Sequence, residues 1–326
     1  MRAAAVSPLV PLLVALVVPV AAIAGEAVDF PARPVRFIVP YTPGAMNDYI
    51  ARAIGQKLSE TWPHQVVVDN RAGGNTLIGT ELAMRAPPDG HTWLLLATAH
   101  SINPALFAKL PYDLLRDFAP VIHVATSSML LVVHPAVPAK SVQELVVAAK
   151  AKPGGYTYAS TGAGGSAHLM GEMFKSQAGV DILHIPYKGL APGLTDVISG
   201  QVNMTFGTWT AVGAHVKGGR LRALAVTGPK RSAAAPELPT VAEGGLPGYQ
   251  ATSTWGVAVP KAVPSALVER INGHIGRVLA NAELRERFAA QGLDITGGTA
   301  RQFSAFLRAD IARWAPVVKA SGAKPE

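Results

Sequence analysis

Cysteine is missing from all 326 positions. That absence excludes disulfides, thiolate metal sites and a lipid-modified cysteine anchor. Aromatic residues make up only 6% of the chain and charged residues only 15%. The net charge of +8 is spread along the sequence, with no cluster of five or more Lys/Arg. A nucleic-acid partner would want a basic stripe interleaved with aromatics, so none is expected. After residue 24 no stretch reaches ~18 apolar residues without a charge, which leaves no candidate membrane span there. No G-x-S-x-G elbow, H-E-x-x-H pair or P-loop occurs. The nine histidines are scattered and do not pair at metal-ligand spacing. His134, His184 and His215 read as packed or surface residues. No catalytic residue, metal or cofactor is therefore expected.

The first 24 residues form an export leader. Arg2 is the positive start, Val6 to Val20 the apolar core, and Ala22-Ile23-Ala24 fits the A-x-A cleavage pattern. Pro8, Pro11 and Pro19 favour cleavage near Ala24 over an uncleaved anchor. A disulfide-free exported chain has to rely on a large core, and the remaining length can supply one.

Beyond the leader, short apolar runs alternate with helical patterns, which predicts an α/β fold. Strands are expected at Val35–Val39, Val66–Val68 and Thr92–Thr98, the last ending in the small polar loop Thr98-Ala99-His100-Ser101. Further strands are expected at Val121–Ala125, Met129–His134, Ile182–Ile185, Val202–Phe206, Leu221–Val226 and Ser253–Val259. Helices are expected over Tyr49–Glu60, from the Asn70–Asn75 loop through Ala86, and over Ser141–Lys150, where Ser141 and Glu144 make a capping box. Others cover Ala167 to Ala178 and Pro192 to Ser199. In the tail, a helix opens at Pro264 with Leu267, Val268, Ile271, Ile275 and Val278 on one face. A last helix covers Thr299–Lys319 with Phe303, Phe306, Leu307, Ile311 and Trp314 inward.

Two segments share one logic. Val35–Val39 runs through Pro40-Tyr41-Thr42-Pro43-Gly44 into a helix, and Tyr156–Ser160 runs through Thr161-Gly162-Ala163-Gly164-Gly165 into another. A strand that ends in a Gly-rich turn at a helix N-terminus exposes backbone N–H groups where the helix dipole is positive, a ready anion site. Two such turns suggest two lobes gripping one anion. The second also satisfies the dinucleotide fingerprint G-x-G-x-x-G/A. That fingerprint requires an acidic residue after the next strand. Here Pro186-Tyr187-Lys188-Gly189 follows, and Asp181 precedes the strand, so a dinucleotide is not expected.

The sequence resembles the Bug-type extracytoplasmic solute receptors, the substrate-binding proteins of tripartite tricarboxylate transporters. The resemblance rests on Val35-Arg36-Phe37-Ile38-Val39-Pro40-Tyr41-Thr42-Pro43-Gly44 with Asp48, on Val68-Asp69-Asn70-Arg71, and on Pro88-Asp89-Gly90. It continues through Asp117-Phe118-Ala119-Pro120-Val121, Tyr158-Ala159-Ser160, His168-Leu169, Ile185-Pro186-Tyr187-Lys188-Gly189 and Pro239-Thr240-Val241-Ala242-Glu243. It implies a two-lobed type II periplasmic-binding-protein fold with a ligand cleft between lobes. The expected division is lobe 1 over 25–126 and 251–326 and lobe 2 over 127–250. It also implies a non-catalytic periplasmic receptor that closes on a small carboxylate and delivers it to integral membrane transporter subunits. A monomer is expected.

Mapped onto this chain, the expected ligand contacts are Tyr41, Pro43, Gly44, Ala45, Met46, Asn47 and Asp48 of the first turn, with Thr98, Ala99 and His100. From the second lobe come Thr161, Gly162, Ala163, Gly164, Ser166, His168, Tyr187, Lys188, Gly207 and Thr208. Two positions depart from the family pattern. Ala45 and Met46 stand where glycine and a variable residue are usual, and Gly207 stands where an Asp usually follows the Phe. Without that Asp, a ligand ammonium loses its counter-charge. A dicarboxylate or an aromatic acid is therefore expected over an amino acid, with Met46 and Trp209 as apolar surface if they face the cleft; Trp209 reads equally well as core packing. The rival readings are a receptor that signals rather than transports, and a secreted enzyme on the same fold.

Overall fold

The computed structural model describes residues 30–160, 162, 164–187, 189–232 and 234–325. The assigned leader lies outside them. The chain opens with β1 (Val35–Val39), α1 (Met46–Ser59), β2 (Val66–Asn70), α2 (Leu77–Met84), β3 (Thr92–Ala97), α3 (Thr98–Leu106), α4 (Leu114–Asp117) and β4 (Phe118–Ser128). Next come β5 (Leu130–Val133), α5 (Val142–Ala151), β6 (Thr157–Ser160), α6 (Ser166–Ala178), β7 (Leu183–Pro186), α7 (Leu190–Ile198), β8 (Met204–Gly207), α8 (Trp209–Lys217) and β9 (Arg222–Val226). The chain closes with β10 (Thr252–Pro260), α9 (Ser265–Leu279), α10 (Ala282–Ala290), β11 (Asp294–Gly297) and α11 (Ala300–Ser321).

These strands make two sheets. One has the order β11-β4-β10-β3-β1-β2 and the other β7-β6-β8-β5-β9. β1 pairs in parallel with both β2 and β3. Parallel strands with helices on both faces are apolar throughout rather than alternating, and every residue of β3, Thr-Trp-Leu-Leu-Leu-Ala, is buried. β4 and β10 run antiparallel in the first sheet, from Phe118↔Pro260 to Ser128↔Thr252. One residue beyond β4, the chain enters β5 of the second sheet.

Each sheet carries its own core. Phe37, Ile50, Ile54, Trp93, Val257, Ile271 and Phe288 belong to the first lobe. Leu131, Tyr158, Met170, Phe174, Phe206 and Tyr249 belong to the second. Burial of each such side chain contributes roughly 1.5–3 kcal/mol. The helix α6 lies so close on β6 that a Cβ on Gly171 would stand 2.3 Å from the Tyr158 ring.

The largest departure from expectation is α3. Its small polar residues read as a loop, but the chain turns directly from β3 into a nine-residue helix. The elements α4, α8, α10 and β11 were likewise not expected from the sequence.

Candidate ligand-binding cleft

A cavity of about 420 Å³ opens between the two lobes. From the first lobe it is lined by Tyr41, Asn47, Asn75, Ala97, Thr98, Ala99, Ile102, Leu106, Ser253 and Trp255. The second lobe supplies Gly164, Gly165 and Ser166, and Pro325 also reaches it. Three helices therefore begin at one cavity: α1 near Asn47, α3 at Thr98 and α6 at Ser166. The first amides of a helix have no acceptor within it, and the helix dipole makes that end positive. The sequence pointed to two such ends; the third, α3, was hidden in what read as a loop.

All three starts are braced in the same way. The third helical residue turns its side chain back to accept a backbone N–H from the turn. In α1, Asp48 Oδ2 accepts from Gly44 at 3.0 Å. In α3, His100 Nδ1 accepts from Ala97 at 3.0 Å. In α6, His168 Nδ1 accepts from Gly164 at 2.9 Å. Gly44 and Gly164 hold matching positive φ angles of 86° and 74°, a conformation open to glycine with little strain. Their own N–H groups face these braces, so the amides presented to the cavity are those further into each helix.

Burial opposes ionisation of Asp48, but the Arg52 guanidinium and the Gly44 N–H outweigh it and hold the carboxyl below its ordinary value. His100 is fully buried, and burial pushes it down to about 4. Its other ring nitrogen lies 3.1 Å from Thr80 Oγ1. Two further bonds shape the cavity wall. Trp255 Nε1 donates to Asn47 Oδ1 at 2.7 Å, which leaves the Asn47 NH2 as the remaining donor. Thr98 Oγ1 accepts from the Thr254 N–H at 2.9 Å.

The described lining residues include no charged side chain and no histidine. Their polar atoms come from Asn, Ser, Thr and Tyr, and their apolar surface from Ile102, Leu106 and Trp255.

Of the expected contacts, Tyr41, Asn47, Thr98, Ala99, Gly164 and Ser166 line this cavity. Pro43, Gly44, Ala45, Met46, Asp48, His100, Gly162, His168, Tyr187, Gly207 and Thr208 are not among its lining residues. Thr161, Ala163 and Lys188 lie outside the described residues. Met46 packs against the first core. Trp209 packs against the second lobe, under the Lys217 ammonium at 5.5 Å. Ala45 has φ −85°, so losing glycine there costs no strain. Gly207 ends β8 in the interior, where a Cβ would meet Val212 at 2.4 Å. Gly207, where a missing counter-charge was expected to matter, thus lies buried and does not line the cavity. Asn75, Ile102, Leu106, Ser253 and Trp255 were missed: they come from a loop, from the unexpected helix and from a strand that reads as core.

The chain matches the profile of the "Tripartite tricarboxylate transporter family receptor" over residues 50–323. It is 36% identical over 301 residues to "Protein BugT" of Bordetella pertussis, covering 92% of each chain. It is 37% identical over 290 residues to a Pseudomonas sp. strain P51 protein described as "UPF0065 protein in tcbD-tcbE intergenic region", covering 89% of this chain and 86% of that one. Among solved structures, R. palustris Rpa4515 with adipate superposes with TM-score 0.77 at 34% identity, over 91% of this chain and all of the other. MatC of Rhodopseudomonas palustris with bound malate gives TM-score 0.73 at 26% identity, over 89% of this chain and all of that one. With a two-lobed fold and helix starts converging on an uncharged cleft, the chain belongs to the receptor family of the tripartite tricarboxylate transporters.

Proposed function

We infer that the protein captures a small carboxylate in the cleft by lobe closure and delivers it to the membrane subunits of a tripartite transporter. The observation that carries this reading is the convergence of three helix N-termini on one cavity whose described lining residues bear no charge. A carboxylate there is held by backbone and side-chain donors, each bond to a charged acceptor contributing roughly 1.5–3 kcal/mol. The adipate and malate bound by structural relatives belong to the same chemical class. Lobe 1 comprises residues 25–128 and 251–326, and lobe 2 residues 129–250, the first boundary moved from the expected 126 because β4 stays in the first sheet through Ser128. The mature chain starts near Gly25, after cleavage at Ala24, and works in the periplasm as a monomer without chemistry of its own. Membership of a receptor family supports the periplasmic, non-catalytic role.

The ligand lacks an amino group. An ammonium in this cleft would meet no carboxylate among the described lining residues, and burying it unpaired costs several kcal/mol. Mass spectrometry of ligand retained by the natively purified protein, then calorimetry with adipate, malate, succinate and aspartate, tests the reading. Retention of a carboxylate, and tighter binding of succinate than aspartate, is expected. Preference for aspartate would mean that an acidic group reaches the cleft. Retention of an uncharged solute would overturn the carboxylate assignment.

A further inference from the structure

The brace of the second-lobe turn differs from that of the first in one chemical respect. Asp48 accepts the Gly44 N–H with a carboxylate, whereas His168 accepts the Gly164 N–H with an imidazole nitrogen. An imidazole accepts at Nδ1 only while that nitrogen carries no proton. A second imidazole lies face to face with the first, with ring centroids of His168 and His184 3.9 Å apart. His184 Nε2 is 2.6 Å from Ser160 Oγ, and Ser160 Oγ accepts the Gly162 N–H at 3.2 Å. Two of the three glycines of the turn, Gly162 and Gly164, are thus tied to one stacked pair of rings.

We propose that His168 is a proton-sensitive positioning residue: its neutral imidazole fixes the second-lobe turn through the Gly164 amide, and protonation releases that turn while the carboxylate-braced turn of the first lobe stays in place. The inference rests on the reading that this turn faces the bound anion.

The surroundings of the ring are consistent with a neutral resting state. From its own helix, Glu172 Oε1 stands 3.9 Å from His168 Nε2, and Lys175 neutralises Glu172 at 2.8 Å. From β6, the Tyr158 hydroxyl donates to Glu172 at 2.7 Å and its ring lies parallel to His168. From β7 comes His184, and β8 carries no titratable residue. On α11, which also packs on α6, Asp310 and Arg313 face each other at 3.4 Å. Burial lowers the His168 pKa; Glu172 opposes that and Lys175 adds to it. Burial likewise brings His184 down to about 4. The folded values lie below the ordinary imidazole value, so the neutral brace is present at neutral pH and is lost as pH falls through the lowered pKa. Asp48 is held below its own ordinary value, which favours its ionised, bond-accepting form.

The test uses the 15N-labelled mature chain, with adipate as the ligand probe. In spectra without ligand, His168 is expected to be unprotonated at Nδ1 at pH 7. As pH is lowered from 7, the Gly164 amide should shift with the midpoint of the His168 ring while the Gly44 amide does not follow it. His168→Asn puts an oxygen where Nδ1 stands and cannot take up the proton; it should retain the Gly164 bond and flatten its titration. His168→Phe keeps the ring without the acceptor. At pH 7 it should weaken adipate binding about tenfold or more, with His168→Asn staying within about threefold of the parent. A Gly164 amide indifferent to both pH and His168→Asn overturns the inference. So does adipate affinity that rises on acidification relative to His168→Asn, because attraction between the imidazolium and the anion would then dominate. Should adipate bind neither parent nor variant, the ligand reading fails for that probe, while the ligand-free Gly164 titration still decides the role of His168. If His168→Phe does not fold, the His168→Asn titration decides alone.

Discussion

At the scale of single residues, the cleft depends on side chains that never reach it. Asn75 lines the cavity, and it and Thr76 both have positive φ, 49° and 79°. For a β-branched residue such as Thr76 that backbone region is a genuine outlier, costing roughly 1–3 kcal/mol. Asn103 holds the pair there. Its Nδ2 donates to the Asn75 carbonyl at 3.0 Å and to Thr76 Oγ1 at 3.2 Å, and its Oδ1 accepts from Asn75 Nδ2 at 2.9 Å. Asn103 is itself fully buried, on the helix that begins at the cavity. Removing this amide leaves the strain with less to oppose it and strips buried polar groups of partners, at about 1–3 kcal/mol. Asn103→Ala is expected to lower the urea unfolding free energy by about 2 kcal/mol and to weaken carboxylate binding through the displaced Asn75. Full affinity in a destabilised Asn103→Ala protein would remove Asn75 from the ligand contacts.

At the scale of elements, the strands and the amphipathic helices were legible because their signals are local. The run Thr92–Ala97 is buried on both faces and Val35–Val39 is apolar apart from Arg36, and the helical face of Val268, Ile271, Ile275 and Val278 is buried in the first core. The start of α3 was not legible: Thr98, His100 and Ser101 carry weak helical preference, and the His100 brace forms only once β3 is in place. The cleft was legible in part. The Gly-rich turns announced α1 and α6, but sequence could not say that the glycine amides would be taken by Asp48 and His168 rather than by ligand. Nor could it place Trp209, which reads as well in a core as at a cleft, and it put Gly207 at the cleft although that residue ends β8 in the interior. The last helix shows what periodicity conceals. Phe303 and Leu307 of α11 pack in a first-lobe cluster beside Leu94 and Leu96, whereas Trp314 and Val318 pack in the second-lobe core. One helix is thus anchored on both lobes. Trp314 is fully buried, and truncating a buried Trp typically costs 3–5 kcal/mol. Trp314→Ala should therefore destabilise the protein by about that amount in denaturant unfolding, with loss of second-lobe amide protection first. A loss confined to the first lobe would mean that α11 is not an anchor of the second core.

At the scale of the whole molecule, the two crossings between sheets meet at one residue. The first crossing is Met129, between β4 and β5; the second ends at Ala251, just before β10. Thr227, fully buried after β9, bonds to both. Its N–H donates to the Met129 carbonyl at 2.8 Å, and its Oγ1 accepts from the Met129 N–H at 2.9 Å. Its carbonyl accepts from the Ala251 N–H at 2.9 Å. Paired crossing strands bound at one point form a double hinge, the arrangement through which lobes close by small backbone rotations. A ligand shifts such an equilibrium only by binding one arrangement better than another, and a cleft lined by both lobes does so because its donors converge only when the lobes approach. Small-angle scattering is accordingly expected to show a smaller radius of gyration when adipate, or whichever carboxylate calorimetry proves to bind, is added. Thr227→Val keeps the shape of the side chain and removes the acceptor of the Met129 N–H, at about 1–3 kcal/mol. Because the two remaining bonds join backbone groups, the fold should survive while the arrangement of lobes seen here loses one of its supports. The Val variant should then differ from the parent in radius of gyration without ligand and converge on it when the carboxylate is bound. An unchanged free radius would mean that the hydroxyl does not bias the hinge, and no compaction of the parent with a ligand proven to bind would argue against capture by closure.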